Sequence, residues 1–245
     1  MADKKGIQSL ERAFSIIEAL AASATSGVSK LARDTSLSKA TVYRILNTLV
    51  DLGYVMRDGS TDKYSLTLKF LTISAEQLAN YDIHKRMRPI LEQIAKISGE
   101  TVHLVERQGE TVVYIDKCES NTNSVRMVSR IGMTSDIFTT AVGKAMLARL
   151  EDSEIVRLWN SYPHVKKTEH TIIDLSEYLK EIENVRKLGY AIDNEENELD
   201  VRCVAVAVPD SHGEYKYAVS ISAPKNRSDA EILKKRAQLL KDYLK

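Results

Sequence analysis

Val28–Leu66, VSKLARDTSLSKATVYRILNTLVDLGYVMRDGSTDKYSL, is the stretch on which the reading of the whole chain turns. A short helical pattern from Ser29 to about Asp34 runs into a polar turn at Thr35-Ser36, and a second helical pattern starts at Ser38 and runs to about Leu52. Ala32 supplies the small residue that two steeply crossed helices need where they meet. Leu31, Leu37, Val42 and Ile45 are spaced to bury one face of both in a shared core, the pattern of a helix-turn-helix. Ser38 is placed as an N-cap, because its hydroxyl can accept from the unpaired N–H groups of the first turn. With Val42, Ile45, Leu46 and Leu49 inside, the second helix presents Lys39, Ala40, Tyr43, Arg44, Asn47 and Thr48 on its other face.

That outward face has the chemistry of a helix lying in a DNA major groove. Small residues let the backbone approach, Lys39 neutralises phosphate, Arg44 and Asn47 carry donors suited to base edges, and Tyr43 and Thr48 can bond phosphate. Tyr54-Val55-Met56-Arg57, the polar turn Asp58-Gly59-Ser60-Thr61-Asp62 and Lys63-Tyr64-Ser65-Leu66 then read as a β-hairpin whose Asp-Gly supplies the turn conformations. A hairpin directly after the second helix makes the motif winged. The expected DNA-contacting set is Ser38, Lys39, Ala40, Thr41, Tyr43, Arg44, Asn47 and Thr48 with Lys63 and Tyr64 of the wing. The alternative, an amphipathic helix pair that merely packs, does not account for the small residue, turn, cap, polar face and hairpin arriving in that order.

The 245-residue chain is long enough for one or two domains, and its formal net charge of +1 excludes a general polyanion binder. Charge is unevenly spread: residues 1–70 hold ten Lys and Arg against seven Asp and Glu, and the remainder holds 25 against 27. That asymmetry suits a DNA-reading module attached to a body with another job. Two cysteines far apart, Cys118 and Cys203, form neither a disulfide framework nor a zinc spacing, which implies a reducing compartment. MADKKGIQSL lacks the apolar core of a signal peptide, and no apolar run approaches the ~20 residues that span a bilayer. A cytoplasmic protein without membrane contact is expected.

In chain order, residues 1–6 are polar and expected to be loose. Ile7–Ala22 carries a helical stripe of Ile7, Leu10, Ala13, Phe14, Ile17 and Leu20, with Phe14 and Ile17 assigned to the core and any leftover apolar surface available to a second subunit. Leu68–Ala79 reads as a linker helix. Another helix from about Ile83 carries Ile83, Met87, Ile90, Ile94 and Ile97 close to a heptad seam, interrupted by Pro89 and stopped by Gly99. That seam either lies on its own domain's sheet or meets a second copy. The domain boundary falls near Asn80-Tyr81-Asp82, giving residues 1–80 and 81–245. Beyond it the texture turns to β: strands at Thr101–Arg107, Thr111–Lys117, Ser124–Ile131, from Tyr190 to Asp193, Val201–Val208 and Tyr215–Ser222. Helices are expected from about Thr140 to Leu150, at Ser153–Asn160, Ser176–Lys187 and Asn226–Lys245. The fold class is α+β, with a mixed or antiparallel sheet in the larger domain.

Six segments, IQSLERAFSIIEAL, LSKATVYRILNTLVDLGYV, SGETVHLVERQGETVVYIDK, TTAVGKAMLA, LGYAIDNEENELDVRCVAVAV and YAVSISAP, make nearly the whole chain resemble the isocitrate lyase regulator (IclR) family of bacterial transcription factors. The resemblance implies an N-terminal winged helix-turn-helix, a linker helix and a GAF-like effector-binding domain. It implies a repressor or activator, bound to palindromic double-stranded operator DNA as a homodimer or a dimer of dimers and tuned by a small metabolite. The effector pocket carried over from the family comprises Met127, Ser135, Ala141, Val142, Asp193, Cys203, Ser220 and Ser222. The loop before AVGKA often carries a His in the family, and Phe138 stands there in this chain, at the expected pocket mouth.

The residues themselves are compatible with such a pocket. Thr140 to Gly143 opens a helix with small residues, whose free N–H groups and dipole favour a carboxylate, which adds Gly143 to the expected effector set. Ser220 and Ser222 share one face of an otherwise apolar strand, and Asp193 ends another, where it can accept from a ligand hydroxyl. Each has an ordinary alternative: Cys203 as core filler, the serines bonded to backbone, Asp193 as a turn residue. An enzyme built on the GAF-like domain is the main rival. Yet the five histidines, at 84, 103, 164, 170 and 212, show no ligand spacing, and no phosphate loop, nucleophile elbow or Cys–His signature appears. His103 on its alternating strand is the most interesting of them, though a lone His is more often structural. No catalytic residue, metal or cofactor is expected. A constitutive DNA binder without effector is the second rival, and it has no need of so large a second domain.

Overall fold

The computed structural model describes residues 6–119 and 127–244. The chain divides into two compact units, Met1–Asn80 and Tyr81–Lys245. In the first, α1 (Gln8–Ser23), α2 (Val28–Asp34) and α3 (Lys39–Asp51) are followed by the hairpin β1 (Val55–Asp58) and β2 (Lys63–Leu66) and by α4 (Lys69–Ala79). Ile16, Leu20, Leu31, Val42, Leu46, Leu49, Val55 and Tyr64 form one buried core. Ser36 takes a φ of 56° in the turn between α2 and α3, and the Ser38 hydroxyl caps α3 by accepting from the Thr41 N–H at 3.2 Å.

Three expectations are corrected in this unit. Phe14, assigned to the core, is 58 % exposed, and Ile7 and Leu10 are exposed beside it, because α1 carries more apolar residues than one face can hold and the core takes Ile16 and Leu20 instead. The wing turn does not use Asp-Gly as its left-handed pair: the positive φ, 54°, falls on Asp62. The turn is instead organised by the Asp58 carboxylate, which accepts from the Ser60 N–H and hydroxyl and the Thr61 hydroxyl at 2.7–2.8 Å. Tyr64, expected on the DNA side of the wing, is 2 % exposed and belongs to the core. In β2 the alternation turns Tyr64 inward as it turns Lys63 outward, and a bridge from Tyr64 to Ser26 ties the hairpin to the helices.

The second unit opens with α5 (Asp82–Ser98), whose seam residues Ile83, Met87 and Ile94 are buried with Leu91, while Ile97 is exposed. The helix therefore lies on its own domain's sheet, with Pro89 inside it and Gly99 ending it at a φ of 70°. There follow β3 (Thr101–Gln108), β4 (Thr111–Cys118), β5 (Thr134–Asp136), α6 (Ala141–Leu147), α7 (Asp152–Ser161), α8 (Leu175–Leu188), β6 (Ala191–Asn194), β7 (Val201–Val208), β8 (Tyr217–Pro224) and α9 (Ala230–Tyr243). Of the strand expected over Ser124–Ile131, residues 124–126 lie outside the described residues and 127–131 are not strand. The segment that pairs with β4 is β5, three residues further on.

The six strands form one antiparallel sheet in the order β5-β4-β3-β8-β7-β6. Alternation along each strand splits the core into two layers. Val102, Leu104, Val204, Val206, Val219 and Ile221 pack under α5 and α9. Val105, Val112, Cys203, Ala205, Ala207 and Ala218 face α6, α7 and α8 on the opposite side. That second layer is built largely from alanines, which lets α6, a helix with all seven residues buried, come down close to β7 and β8.

Candidate functional site

On α3, Lys39, Ala40, Tyr43, Arg44, Asn47 and Thr48 are exposed together, as is Ser38 at the cap, and Lys63 is exposed on the wing. Thr41 is half-buried and its hydroxyl lies 2.9 Å from that of Ser38, so it serves the cap. Arg57, which sequence reasoning passed over, is exposed on β1 and paired with Asp62 at 2.8 Å. The unit thus presents a polar helix face with basic side chains on it and on the adjoining hairpin, the arrangement that reads base edges and grips phosphate.

The larger unit holds a partly open cavity of about 60 Å³ between the α6 side of the sheet and the start of α6. Its walls follow from the strand register. Asp193, Cys203 and Ser222 occupy one cross-strand row, Asp193 opposite Cys203 and Cys203 opposite Ser222. Ser220 lies in the next row opposite His103. Ala141 and Val142 cover the row from α6, and Met127, Val128 and Ser129 close it from the segment that follows β4. Seven of the nine expected effector residues, Met127, Ala141, Val142, Asp193, Cys203, Ser220 and Ser222, line this one cavity.

Ser135 and Gly143 do not. Ser135 sits on β5 opposite Val112 with its side chain near the Tyr114 phenol, so it supports the wall without forming it. The Gly143 N–H is already taken by the Thr140 hydroxyl, 3.2 Å away, and is not free for a ligand. Glycine is required there by packing: a Cβ would lie 1.8 Å from the Ile137 carbonyl oxygen. Phe138 is corrected too. It is 1 % exposed and lies with Trp159, Tyr162, His164 and Tyr178 in an aromatic cluster, with ring centroids 5.1–5.7 Å from its own, instead of at a pocket mouth.

Sequence reasoning missed several lining residues, notably His103, Tyr114, Ser129, Asn197 and Glu198. The signal for His103 was its place on an alternating strand. Its buried ring stands edge-on to Tyr114, with Nε2 2.7 Å from the Ser129 hydroxyl and Nδ1 3.4–3.5 Å from the hydroxyls of Ser222 and Ser220. Burial, with Lys117 nearby, pushes its pKa down to about 3, so the imidazole is neutral. The Lys117 ammonium donates to the Met127 and Ser129 carbonyls, each at 2.8 Å, and anchors that wall. Burial drives the Tyr114 phenol up to about 12 and raises the Cys203 thiol as well, leaving both protonated.

Asp193 is pushed up to about 7 by burial first and by Glu196 second, against the pull of Lys144 and of two backbone N–H bonds. Lys144 is fully buried and donates to Glu196 at 2.6 Å and Glu181 at 3.1 Å. Burial opposes its charge, but the two carboxylates outweigh burial and keep it an ammonium. Among the described residues no group of three or more His, Cys, Asp or Glu is placed to hold a metal, and no helix is long and apolar enough to cross a membrane.

The family model for the bacterial transcriptional regulator IclR C-terminal domain matches residues 75–244, and that for the IclR helix-turn-helix domain matches residues 9–59. The chain belongs to the IclR family of bacterial transcriptional regulators. Among its relatives, the HTH-type transcriptional regulator KdgR of Escherichia coli K12 is 36 % identical over 234 residues, covering 96 % of this chain and 89 % of KdgR. The DNA-binding transcriptional repressor YiaJ of the same strain is 34 % identical over 226 residues, covering 91 % of this chain and 80 % of YiaJ. The crystal structure of the Thermotoga maritima IclR has a TM-score of 0.80 at 32 % identity, covering 98 % of this chain and 96 % of that one. This member of the family is a DNA-binding transcriptional regulator of α+β class, with a helix-turn-helix unit ahead of a sheet-centred one.

Proposed function

We propose that the chain is a repressor that reads a palindromic operator as a dimer, with α3 in the major groove, and changes its grip when a small carboxylic acid occupies the cavity beside α6. The observation that carries the effector half is the convergence of Asp193, Cys203, Ser220 and Ser222, from three strands, on one partly open pocket of mixed polar and apolar lining. A pure core gains nothing from four polar groups in adjacent rows, whereas a bound oxygen-rich ligand does. The DNA half rests on the exposed polar face of α3 beside the basic wing. Dimerisation is supported by the apolar residues that α1 leaves outside, Ile7 at 65 %, Leu10 at 54 % and Phe14 at 58 % exposure, since two half-sites one helical turn apart require two recognition helices.

The test is fluorescence anisotropy on a DNA fragment from upstream of the protein's own gene, titrated with carboxylic acids. The reading requires saturable binding that a chloride-matched control does not disturb and that one acid shifts. DNA binding indifferent to every acid would leave a constitutive binder, and no DNA binding would reject the reading altogether.

A further inference from the structure

We propose that the cavity beside α6 selects small monocarboxylates and takes each up together with a proton, which settles on Asp193 and lets that residue donate to the bound carboxylate. This rests on the reading of the cavity as the effector site and specifies its chemistry. Among the described lining residues the ionisable side chains are His103, Tyr114, Asp193, Glu198 and Cys203, and neither Lys nor Arg is among them. The nearby cations are both committed: Lys144 on α6 to Glu196 and to Glu181 on α8, and Lys117 on β4 to the Met127 and Ser129 carbonyls and to Glu119. His103 on β3 is neutral, and Tyr114 on β4 and Cys203 on β7 hold their protons. An acid that enters therefore meets carboxyl groups, Asp193 above all, which is 4 % exposed.

Two carboxylates in one desolvated space do not both stay ionised; one keeps a proton. Asp193 is placed to be that one. Its Oδ1 accepts from the Glu196 N–H at 2.8 Å and the Asn197 N–H at 3.3 Å, and among the described residues no hydrogen bond reaches Oδ2. A protonated Oδ2 then makes a short charge-assisted bond to the ligand, as neutral acids do in apolar sites. The hydroxyls of Ser220 and Ser222 supply further donors. A dicarboxylate or a phosphorylated acid brings a second negative charge into the same space with no uncommitted cation to meet it, and desolvating that charge rejects it.

The direction of the pH dependence follows. Free Asp193 titrates near 7, and a bound anion raises that value further. Above about pH 7 each anion that binds carries close to one proton with it, and affinity falls by up to about tenfold per pH unit. Below about pH 7 the proton is already in place and affinity is flat until the ligand itself is protonated.

Isothermal titration of the full chain with acetate, lactate, 2-oxobutyrate and gluconate, and with succinate and phosphoglycolate as doubly charged controls, tests this. It is run at about pH 6.5 and about pH 8, in buffers of differing ionisation enthalpy. At least one monocarboxylate binds at the lower pH, its proton uptake at the higher pH approaches one, and the controls bind at least about tenfold more weakly. In Asp193→Asn, whatever affinity remains no longer changes between the two pH values. Binding without proton uptake, an Asp193→Asn variant as pH-dependent as the parent, or a control that binds equally well overturns the proposal and leaves the cavity an effector site. Failure of every monocarboxylate at the lower pH rejects the carboxylate reading itself.

A ligand-free measurement runs beside it. Asp193 titrates higher in the folded chain than the ~4 of an unfolded one, so its contribution to stability is complete below about pH 4 and lost as pH rises through 7. Asp193→Asn, which cannot ionise, gains in Tm relative to the parent at about pH 8 compared with about pH 5. An offset that does not change with pH overturns the proposal.

Discussion

Gly143 and Lys144 are neighbours on α6 and show how differently two residues of one short motif are constrained. At Gly143 the constraint is space: the Ile137 backbone carbonyl would lie 1.8 Å from an added Cβ, and backbone has no rotamer to escape into. Gly143→Ala is expected to lower stability by about 1–3 kcal/mol or more, read as a fall in the urea midpoint at unchanged slope. At Lys144 the constraint is charge. Replacing it by Met strands Glu196 and Glu181 beside a buried methyl group, at an expected cost of about 3–5 kcal/mol. Lys144→Met combined with Glu196→Gln should recover part of that loss in the same denaturation assay. Full additivity of the two changes would mean the pair is not coupled. The glycine was legible as a small residue in AVGKA, but its reason was not. Its partner is a carbonyl brought down by the turn before the helix, and Lys144's carboxylates lie 37 and 52 residues away.

Among the elements, α3 was readable almost residue by residue. Its 3.6-residue period separates Val42, Leu46 and Leu49 from the exposed polar face with no reference to anything distant. Arg44→Ala is expected to weaken operator binding by about 1–3 kcal/mol if it reads a base, measured by anisotropy, and an unchanged affinity would remove Arg44 from the contact. The wing tests the opposite case. Because Tyr64 is in the core, Tyr64→Phe should leave operator affinity unchanged, whereas a loss of affinity would restore the hydroxyl to a phosphate contact. For α1 the periodicity was visible but the choice of face was not. Ile7, Leu10 and Phe14 form as good a stripe as the one that is buried, and only packing against α2 and β2 decides which turns inward. Leu10→Ser with Phe14→Ser should therefore shift the protein towards monomer in sedimentation velocity while its circular dichroism is retained.

At the scale of the molecule, two separate cores predict separable behaviour. Residues 81–245 hold a sheet with both faces covered by their own helices, and expressed alone they should fold cooperatively. Ser220→Ala with Ser222→Ala should leave DNA binding intact and blunt the response to the acid, because those hydroxyls lie in the larger unit only. The sequence by itself determined what depends on near neighbours: the helix-turn-helix, the caps, the hairpin, the alternation that sets Ser220 and Ser222 on one strand face. It also carried, through the family resemblance, seven of the fifteen described residues that come to line the cavity. Tertiary structure alone decided what depends on register and approach. The pairing of β3 with β8 puts His103 opposite Ser220, the pairing of β6 with β7 puts Asp193 opposite Cys203, and the closeness of α6 closes the space above them. The reason is physical. A side chain's periodicity is written in its own strand, but its cross-strand partner is set by where a different strand happens to lie, and the proton affinity of Asp193 is set by how much water that packing leaves.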